Sequence, residues 1–299
     1  MTGTDLIRPI PIWALRIAWL TLPVTAGPAA ASAPHGWSDA PRIVAEVLLW
    51  LSWGIGLLAT LAPRPPTLGA LRTIAPAFFV LAVIVAIDGA PSTLAVVGAL
   101  VATVITAVLA AGTDIAIAAA NSIAYGDELR VPLRTPPALF LGPLPLARVM
   151  IVASVVAPAL LLADDQVLVG VIALVVGVAL LLVLSRALYG LTRRWAVLVP
   201  AGFVVVDPMT LADPVLFVRE HITALGAADL GPSPEGVTDL RLGATRGSIS
   251  VQFDEEAEIT RAARGRRPAE TVRALEIRIA TVRRDELLAN AATRRLRVR

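Results

Sequence analysis

Stretches without a charged residue fill most of the first two thirds of the chain, and they constrain the fold more than any other feature. The six main windows are 17–38, 47–63, 73–87, 89–113, 149–163 and 166–185. A helix needs roughly 17–25 apolar residues to cross the hydrocarbon core of a bilayer, and the fourth and sixth windows meet that length outright. The third and fifth are shorter and need flanking residues, with Arg72 and Arg148 extending towards the interface. We therefore predict six transmembrane helices.

The placement of arginines predicts the orientation of these helices. With the N-terminus inside the cell, the outer side holds only Arg42, and the cytoplasmic side holds Arg8, Arg16, Arg64, Arg72, Arg130, Arg134, Arg148 and Arg186. This bias follows the positive-inside rule, so both termini are expected in the cytoplasm and the protein in the plasma membrane. Residues 1–33 also resemble a signal peptide with a small-residue cleavage site. Arg16 within the apolar part favours a retained helix instead.

After Thr192 the pattern changes to alternation with a period of two. The last 107 residues hold 31 of the 49 charged residues, which indicates a water-exposed domain. The stretch 195–206 is too short to span a bilayer, and "WAVLV" and "FVVV" around the turn "PAG" predict a β-hairpin. Around a turn at 245–247, "LRLGATRGSISVQF" places one face apolar, and "ALEIRIATV" does the same. The apolar positions are Leu240, Leu242, Ile249, Val251, Phe253, Leu275, Ile277 and Ile279.

Three further segments complete the domain. "PVLFVREHITAL" predicts a strand pair or one bent strand, and the polar "DEEAEITRAARGRRPAE" predicts a mobile loop or short helix. The last segment, "RRDELLANAATRRLRVR", has helical spacing at Leu288, Ala292 and Leu296, with acidic residues first and arginines last. The predicted fold class is α+β. A six-helix transmembrane domain, 1–192, precedes a small cytoplasmic β-barrel or sandwich, 193–299, which a C-terminal helix closes.

Six or seven strands in meander order followed by a helix resemble the bacterial pleckstrin-homology-like domains that follow membrane helices. The layout, with "AWLTLPVTAGPA", "LLATLAPRPPTLGALR" and "AYGDELRVPLRTPP", also resembles multi-pass membrane proteins of high-GC actinobacteria. Neither resemblance implies an activity. Pleckstrin-homology-like folds imply binding of proteins or phosphoinositide headgroups, although no phosphoinositide pocket is matched residue by residue.

Composition and motifs exclude several kinds of chemistry. The chain has no cysteine, so thiolate metal sites, disulfides and a cysteine nucleophile are impossible. All 26 basic residues are arginine, and the net charge of +3 is too small to indicate nucleic-acid binding. With two histidines and no phosphate-binding or hydrolase motif, we expect no cofactor, no metal and no catalytic residue.

The remaining candidates are charged residues at the predicted membrane interface. Asp114 lies at the end of the fourth helix, as an interfacial carboxylate or an intramembrane functional group. The long segment 121–148 carries Asp127, Glu128, Arg130 and Arg134. We expect it along the membrane surface or against the β-domain, either as a docking surface or gate or as a packing strap. The candidate contacts to anionic lipid are Arg193, Arg194, Arg294 and Arg295.

Three hypotheses for function follow. The first is a non-enzymatic scaffold or adaptor that presents the β-domain at the inner leaflet to a membrane or cytoplasmic protein or to lipid. The second is a channel or transporter that the β-domain regulates, with Asp114 as its best candidate residue. The third is an enzyme acting on a lipid-linked substrate through Asp127, Glu128 or Asp164.

Overall fold

The computed structural model describes residues 7–34, 36–88, 92–232, 234, 236–263 and 268–299. These residues form two compact units. The helical unit comprises residues 8–115 and 144–189. The β-unit comprises Ile7, residues 116–143 and residues 190–299. The sequence division at residue 192 placed the segment 116–143 with the membrane helices, whereas it groups with the C-terminal strands.

Ten α-helices are formed by the described residues. They are α1 (Pro9–Thr25), α2 (Gly27–Ser32), α3 (Asp39–Leu61), α4 (Pro65–Asp88), α5 (Thr93–Ala111), α6 (Thr113–Asn121), α7 (Pro137–Phe140), α8 (Pro143–Ala163), α9 (Val167–Thr192) and α10 (Arg284–Thr293). Counting α1 and α2 as one, six are long and apolar enough to cross a membrane, which confirms the predicted number.

The first span differs from its prediction at both ends of the apolar window. The helix begins at Pro9, ahead of Arg16, and it breaks at Ala26. α2 begins at Gly27 as a separate short segment, and Pro28, which lacks an N–H, occupies its first turn, where proline is favoured. The fourth predicted span also ends early, because the chain breaks at Gly112 before α6 starts.

Two arginines within the apolar helices bind the carboxyl ends of neighbouring helices. Arg16 donates from Nε to the Thr60 carbonyl at 3.1 Å and from Nη2 to the Leu61 carbonyl at 3.2 Å, at the end of α3. Arg72 donates to the last carbonyls of α5 and to that of Gly112, each at 3.2 Å. These carbonyls have no partner within their own helix, and the helix dipole is negative there. The contacts explain how a guanidinium is accommodated in an otherwise apolar segment.

Tryptophan and glycine hold α1 against α3. The Trp19 indole N–H donates to the Trp53 carbonyl at 2.9 Å, and the Trp53 indole N–H donates back to the Trp19 carbonyl at 3.0 Å. Trp19 is fully buried, and its ring occupies the space that a Cβ atom at Gly56 would need. Small residues thus permit the close approach of helices, as is common in membranes.

The β-unit contains two four-stranded sheets. The first has the order β1 (Leu129–Pro132), β2 (Trp195–Val199), β3 (Gly202–Val206) and β4 (Val215–Val218), all antiparallel. The second has the order β5 (Ile222–Ala227), β7 (Ser248–Arg261), β8 (Glu270–Ala280) and β6 (Val237–Asp239). The described strands form two separate sheets, which isolated bridges link at Leu133–Thr281 and Leu211–Arg261, and closure into a barrel is not found. The predicted hairpin of β2 and β3 is confirmed.

One apolar core joins both sheets and α10. Its fully buried side chains include Leu198 and Phe203 from the first sheet, Val251 and Ile277 from the second, and Leu287 from α10. Inward-facing residues of two sheets that pack face to face form such a core. The helical stripe predicted for α10 is shifted by one residue, since Leu287 and Ala291 are buried and Ala292 is exposed.

Strand periodicity fails in the second sheet because of a bulge. Residues 254–261 of the segment predicted as a loop or short helix are strand instead, since β7 extends to Arg261 and pairs with β8 from Glu270; residues 264–267 lie outside the described residues. The register shifts between Gln252 and Ala257. Four residues of β7, 253–256, therefore stand opposite one residue of β8, and that residue, Leu275, predicted to be inside, is 52% exposed.

The strands on either side of the predicted turn at 245–247 do not pair with each other. Gly247 turns the chain with φ +70°, but β6 pairs in parallel with β8 rather than with β7. Arg241, predicted on the outer face, is buried because Asp239 accepts from it and because the Asp229 and Gly231 carbonyls accept from its terminal nitrogens. Long-range pairing therefore overrides the local turn signal.

Candidate functional site

The segment between α6 and α8 supplies the first strand of the β-unit. Leu129 is opposite Leu198 and Pro132 is opposite Trp195, so β1 pairs antiparallel with β2. Its side chains alternate, with Leu129 and Val131 buried and Arg130 and Pro132 half-buried. The expectation that this segment lies against the β-domain is confirmed for β1. It came from the length and mixed charge of 121–148, whereas the alternation in "LRVPLR" is the signal that could have identified the strand itself.

Asn121 at the end of α6 fixes the outer edge of β1. Its Oδ1 accepts from the Arg130 N–H at 2.9 Å, and its Nδ2 donates to the Arg130 carbonyl at 2.8 Å and to the Ile117 carbonyl at 2.8 Å. An edge strand otherwise presents unpaired backbone groups to new partners. Here the side-chain amide of Asn121 binds the N–H and C=O of Arg130 in place of such a partner.

Glu128 and Arg130 form an ion pair beside the first sheet. Arg130 Nη2 lies 2.7 Å from Glu128 Oε2, and the guanidinium stacks 5.1 Å from the centre of the Trp195 ring. Burial alone would raise the pKa of the Glu128 carboxyl, but hydrogen bonds from Arg130 and from the Tyr125 N–H lower it overall. Asp127 is exposed in the preceding turn. The two adjacent acids are thus in different surroundings.

Arg194 is buried, contrary to its prediction as a lipid contact. Its Nε and Nη2 donate to the two Asp207 oxygens at 2.7 and 2.8 Å, and both residues are 2% exposed. Nη1 donates to the Arg134 carbonyl at 2.9 Å, while Asp207 Oδ1 also accepts from the Met209 N–H. Buried charges require such pairing. The sequence showed two arginines at the end of a helix but not the carboxylate that one of them binds.

A second arginine lies just beyond this pair, at the turn of Gly247. Arg134 donates its backbone N–H to the Ala280 carbonyl at 2.8 Å, and Gly247 accepts from the Thr281 N–H at 2.9 Å. A Cβ atom at Gly247 would stand 3.1 Å from Arg134 Nε and would collide with the Thr281 carbonyl. Only glycine therefore allows this approach. We call Arg134, Arg246, Gly247 and Thr281 the arginine corner.

Polar atoms of the arginine corner are short of partners. Arg134 Nε and Thr281 Oγ1 are buried and have no hydrogen-bond partner among the described residues. Burial and then the nearby Arg246 guanidinium lower the pKa of Arg134 below the ordinary arginine value. Arg246 is exposed on the turn. The sequence analysis named Arg134 but missed Arg246, Gly247 and Thr281, because only the fold brings them together.

The other predicted residues lie apart from this corner. Asp114 is in the first turn of α6, where the helix dipole favours a carboxylate. Arg193 is exposed directly after α9. Arg294 donates to the Leu198 carbonyl at 3.0 Å, which connects the end of α10 to β2, whereas Arg295 is exposed with φ +63°.

Within the described ranges, no group of three or more histidine, aspartate or glutamate side chains is placed to hold a metal ion. Comparison with protein-family models, with curated proteins and with solved structures finds no match, so a function has to be argued from the geometry above.

Proposed function

We propose that this chain is a non-enzymatic, multi-pass scaffold of the plasma membrane. Six helices span the bilayer, both termini are cytoplasmic, and the β-unit, a pleckstrin-homology-like domain, is presented at the inner leaflet to a protein or lipid partner. The observation that supports this most is the pairing of β1 with β2. The domain that would bind a partner is built from two segments of chain that follow different apolar helices.

The connections between the two units are direct. The chain passes between them at Ile7–Arg8, Ile115–Ala116, Pro143–Leu144 and Tyr189–Gly190. Between α9 and β2 stand Arg193 and Arg194, and Arg194 is already buried against Asp207. The three Cα–Cα steps from Thr192, the last residue of α9, to Trp195, the first of β2, cover at most about 11 Å. Short connections of this kind suit an adaptor better than a long flexible linker would.

The distribution of arginines supports the orientation, and cysteine labelling tests it. Because the chain has no cysteine, single cysteines at exposed positions give an unambiguous signal. In intact cells, a membrane-impermeant maleimide should label Asp164→Cys, in the turn between α8 and α9. It should label Glu255→Cys, on β7, only after permeabilisation. Labelling of Glu255→Cys in intact cells would exclude a cytoplasmic β-unit.

Cross-linking tests the adaptor role. A photoreactive residue at Tyr125, which is 86% exposed on the β-unit, is compared with one at Leu94, which is 82% exposed on α5 in the helical unit. If the chain is a scaffold, the residue at position 125 should form discrete cross-linked products with one partner protein or lipid in cells. These products should be lost when residues 193–299 are deleted. An unchanged set of products after that deletion would reject the β-unit as the binding element.

A further inference from the structure

The arginine corner presents two guanidinium groups without a balancing carboxylate. Arg134 and Arg246 are near enough for one to lower the pKa of the other, and neither forms an ion pair with the described residues. The buried arginines of the β-unit, Arg194, Arg241 and Arg278, each pair directly with an acid. The half-buried Arg134 differs from them because it has no acidic partner among the described residues.

Unpaired polar atoms in a native structure call for a physical explanation, and a bound ion is one of the common ones. Arg134 is positioned by its backbone rather than by its side chain, since its N–H and C=O bind the Ala280 carbonyl and Arg194 Nη1. Of its side-chain nitrogens only Nε is both buried and unpartnered, and the residue as a whole is half-buried. Part of the Arg134 side chain thus reaches the surface beside the exposed Arg246.

Two adjacent guanidiniums match the charge and shape of a phosphate group. Each guanidinium offers a planar fork of N–H donors that can bind two oxygens at once, and a phosphate monoester carries nearly two negative charges at neutral pH. A single carboxylate would neutralise only one of the two arginines. The chemistry of the corner therefore favours a phosphate oxyanion.

Apolar side chains on the same segment indicate where that phosphate comes from. Phe140 and Leu141, on and just after α7, are 58% and 91% exposed, and both belong to the β-unit. They follow Arg134 within seven residues. Exposed large apolar side chains close in sequence to basic groups are typical of surfaces that insert into the boundary between headgroups and acyl chains.

We propose that Arg134 and Arg246 bind the phosphate of an anionic membrane lipid, while Phe140 and Leu141 enter the acyl-chain boundary beside it. This inference rests on the proposed function in one respect, the cytoplasmic position of the β-unit at the inner leaflet. Arg134 lies outside residues 193–299, the part that resembles pleckstrin-homology-like domains. Arg246 lies inside that part, so the site exists only where the segment 116–143 meets the turn at Gly247.

Lipid titration of the full chain in an uncharged detergent tests this site. Phosphatidic acid, diacylglycerol with the same acyl chains, and inorganic phosphate are added separately, and bound lipid is counted by native mass spectrometry. Phosphatidic acid should bind and diacylglycerol should not. Arg134→Gln and Arg246→Gln should each weaken binding about tenfold or more, as expected for loss of charged hydrogen bonds. Arg273→Gln, an exposed position on β8, removes the same charge and should have no effect.

Each alternative result has a defined meaning. Equal binding by Arg134→Gln and Arg273→Gln, or equal binding of diacylglycerol and phosphatidic acid, would overturn the site. Displacement of phosphatidic acid by inorganic phosphate at equal concentration would retain the oxyanion site but overturn the lipid as its source. Thermal unfolding without lipid checks that each variant is folded. Cysteine labelling and cross-linking do not depend on these arginines, so failure of the lipid site leaves the scaffold proposal separately testable.

Discussion

Replacing Asp207 with asparagine is expected to destabilise the β-unit by about 3–5 kcal/mol, because it leaves the buried Arg194 guanidinium without a counter-charge. The shape of the side chain hardly changes, so the loss is electrostatic. Both oxygens of Asp207 accept from Arg194, at 2.7 and 2.8 Å, and both residues are 2% exposed. Solvent screening, which makes surface ion pairs weak, is therefore largely absent.

The double variant Arg194→Met/Asp207→Leu separates this cost from the net value of the pair. Removing both charges leaves two groups without their partners, the Arg134 carbonyl that accepted from Arg194 Nη1 at 2.9 Å and the N–H of the half-buried Met209 that donated to Asp207 Oδ1 at 3.0 Å. An unsatisfied buried acceptor costs about 1–3 kcal/mol. The double variant should therefore be more stable than Asp207→Asn, and the thermodynamic cycle should show strong coupling between the two residues.

Hydrogen–deuterium exchange of the full chain measures the effect locally. If the amides of 195–206 exchange by opening of the β-unit, a loss of 3–5 kcal/mol accelerates them by about two to three and a half orders of magnitude. Peptides from α3 in the helical unit provide the internal control. An acceleration below about fivefold in Asp207→Asn, or a double variant as unstable as the sum of the two singles, would refute the assignment of a buried, interdependent ion pair.

Two smaller changes test other contacts. Gly56→Ala should lower the thermal stability of the helical unit, by about 1–3 kcal/mol, because its Cβ overlaps the Trp19 ring. Gly54→Ala, which meets no atom within 4 Å, should not, and equal effects would contradict the packing. The pKa of Glu128 is lower in the folded protein than in the unfolded chain, where it is about 4.3. The ion pair with Arg130 therefore stabilises β1 fully above the unfolded pKa, and this contribution is lost as the pH falls through the folded pKa. The exchange rate of the β1 amides in Glu128→Gln, divided by the rate in the wild-type protein, should fall towards one as the pH is lowered. A ratio that does not change with pH would contradict this.

The helical unit could be predicted well from the sequence because its rule is simple. A span must be apolar over a fixed length, and the six windows reveal that directly. Prediction failed at the ends of the spans, where single residues decide. Pro28 separated α2 from α1, and Arg16 lies inside α1 because the carbonyls of another helix accept from it. Contacts between helices that are far apart in sequence leave no local signal.

In the β-unit, only the pairing of strands that are neighbours in the sequence could be predicted. The hairpin of β2 and β3 followed from two β-rich stretches around a turn. The parallel pairing of β6 with β8 and the bulge near Gln252 did not, because both depend on partners distant in the chain. The candidate site has the same limit. Arg134 and Arg246 are separated in the chain by α7, α8, α9 and the strands β2 to β6, and no local pattern indicates that they meet.

The order of the chain also constrains how the β-unit is assembled. β1 precedes α8 and α9, whereas its partner β2 follows them. The edge strand must therefore wait until both helices have been synthesised before it can pair, and long-range pairing of this kind is slow because loop closure comes before any gain. In the meantime Asn121 and β1 can associate, since Asn121 binds the Arg130 N–H and C=O from nearby in the chain. The corner formed by Arg134 and Gly247 requires β1, β2 and the turn before β7 together, so it is completed only after the second sheet has formed.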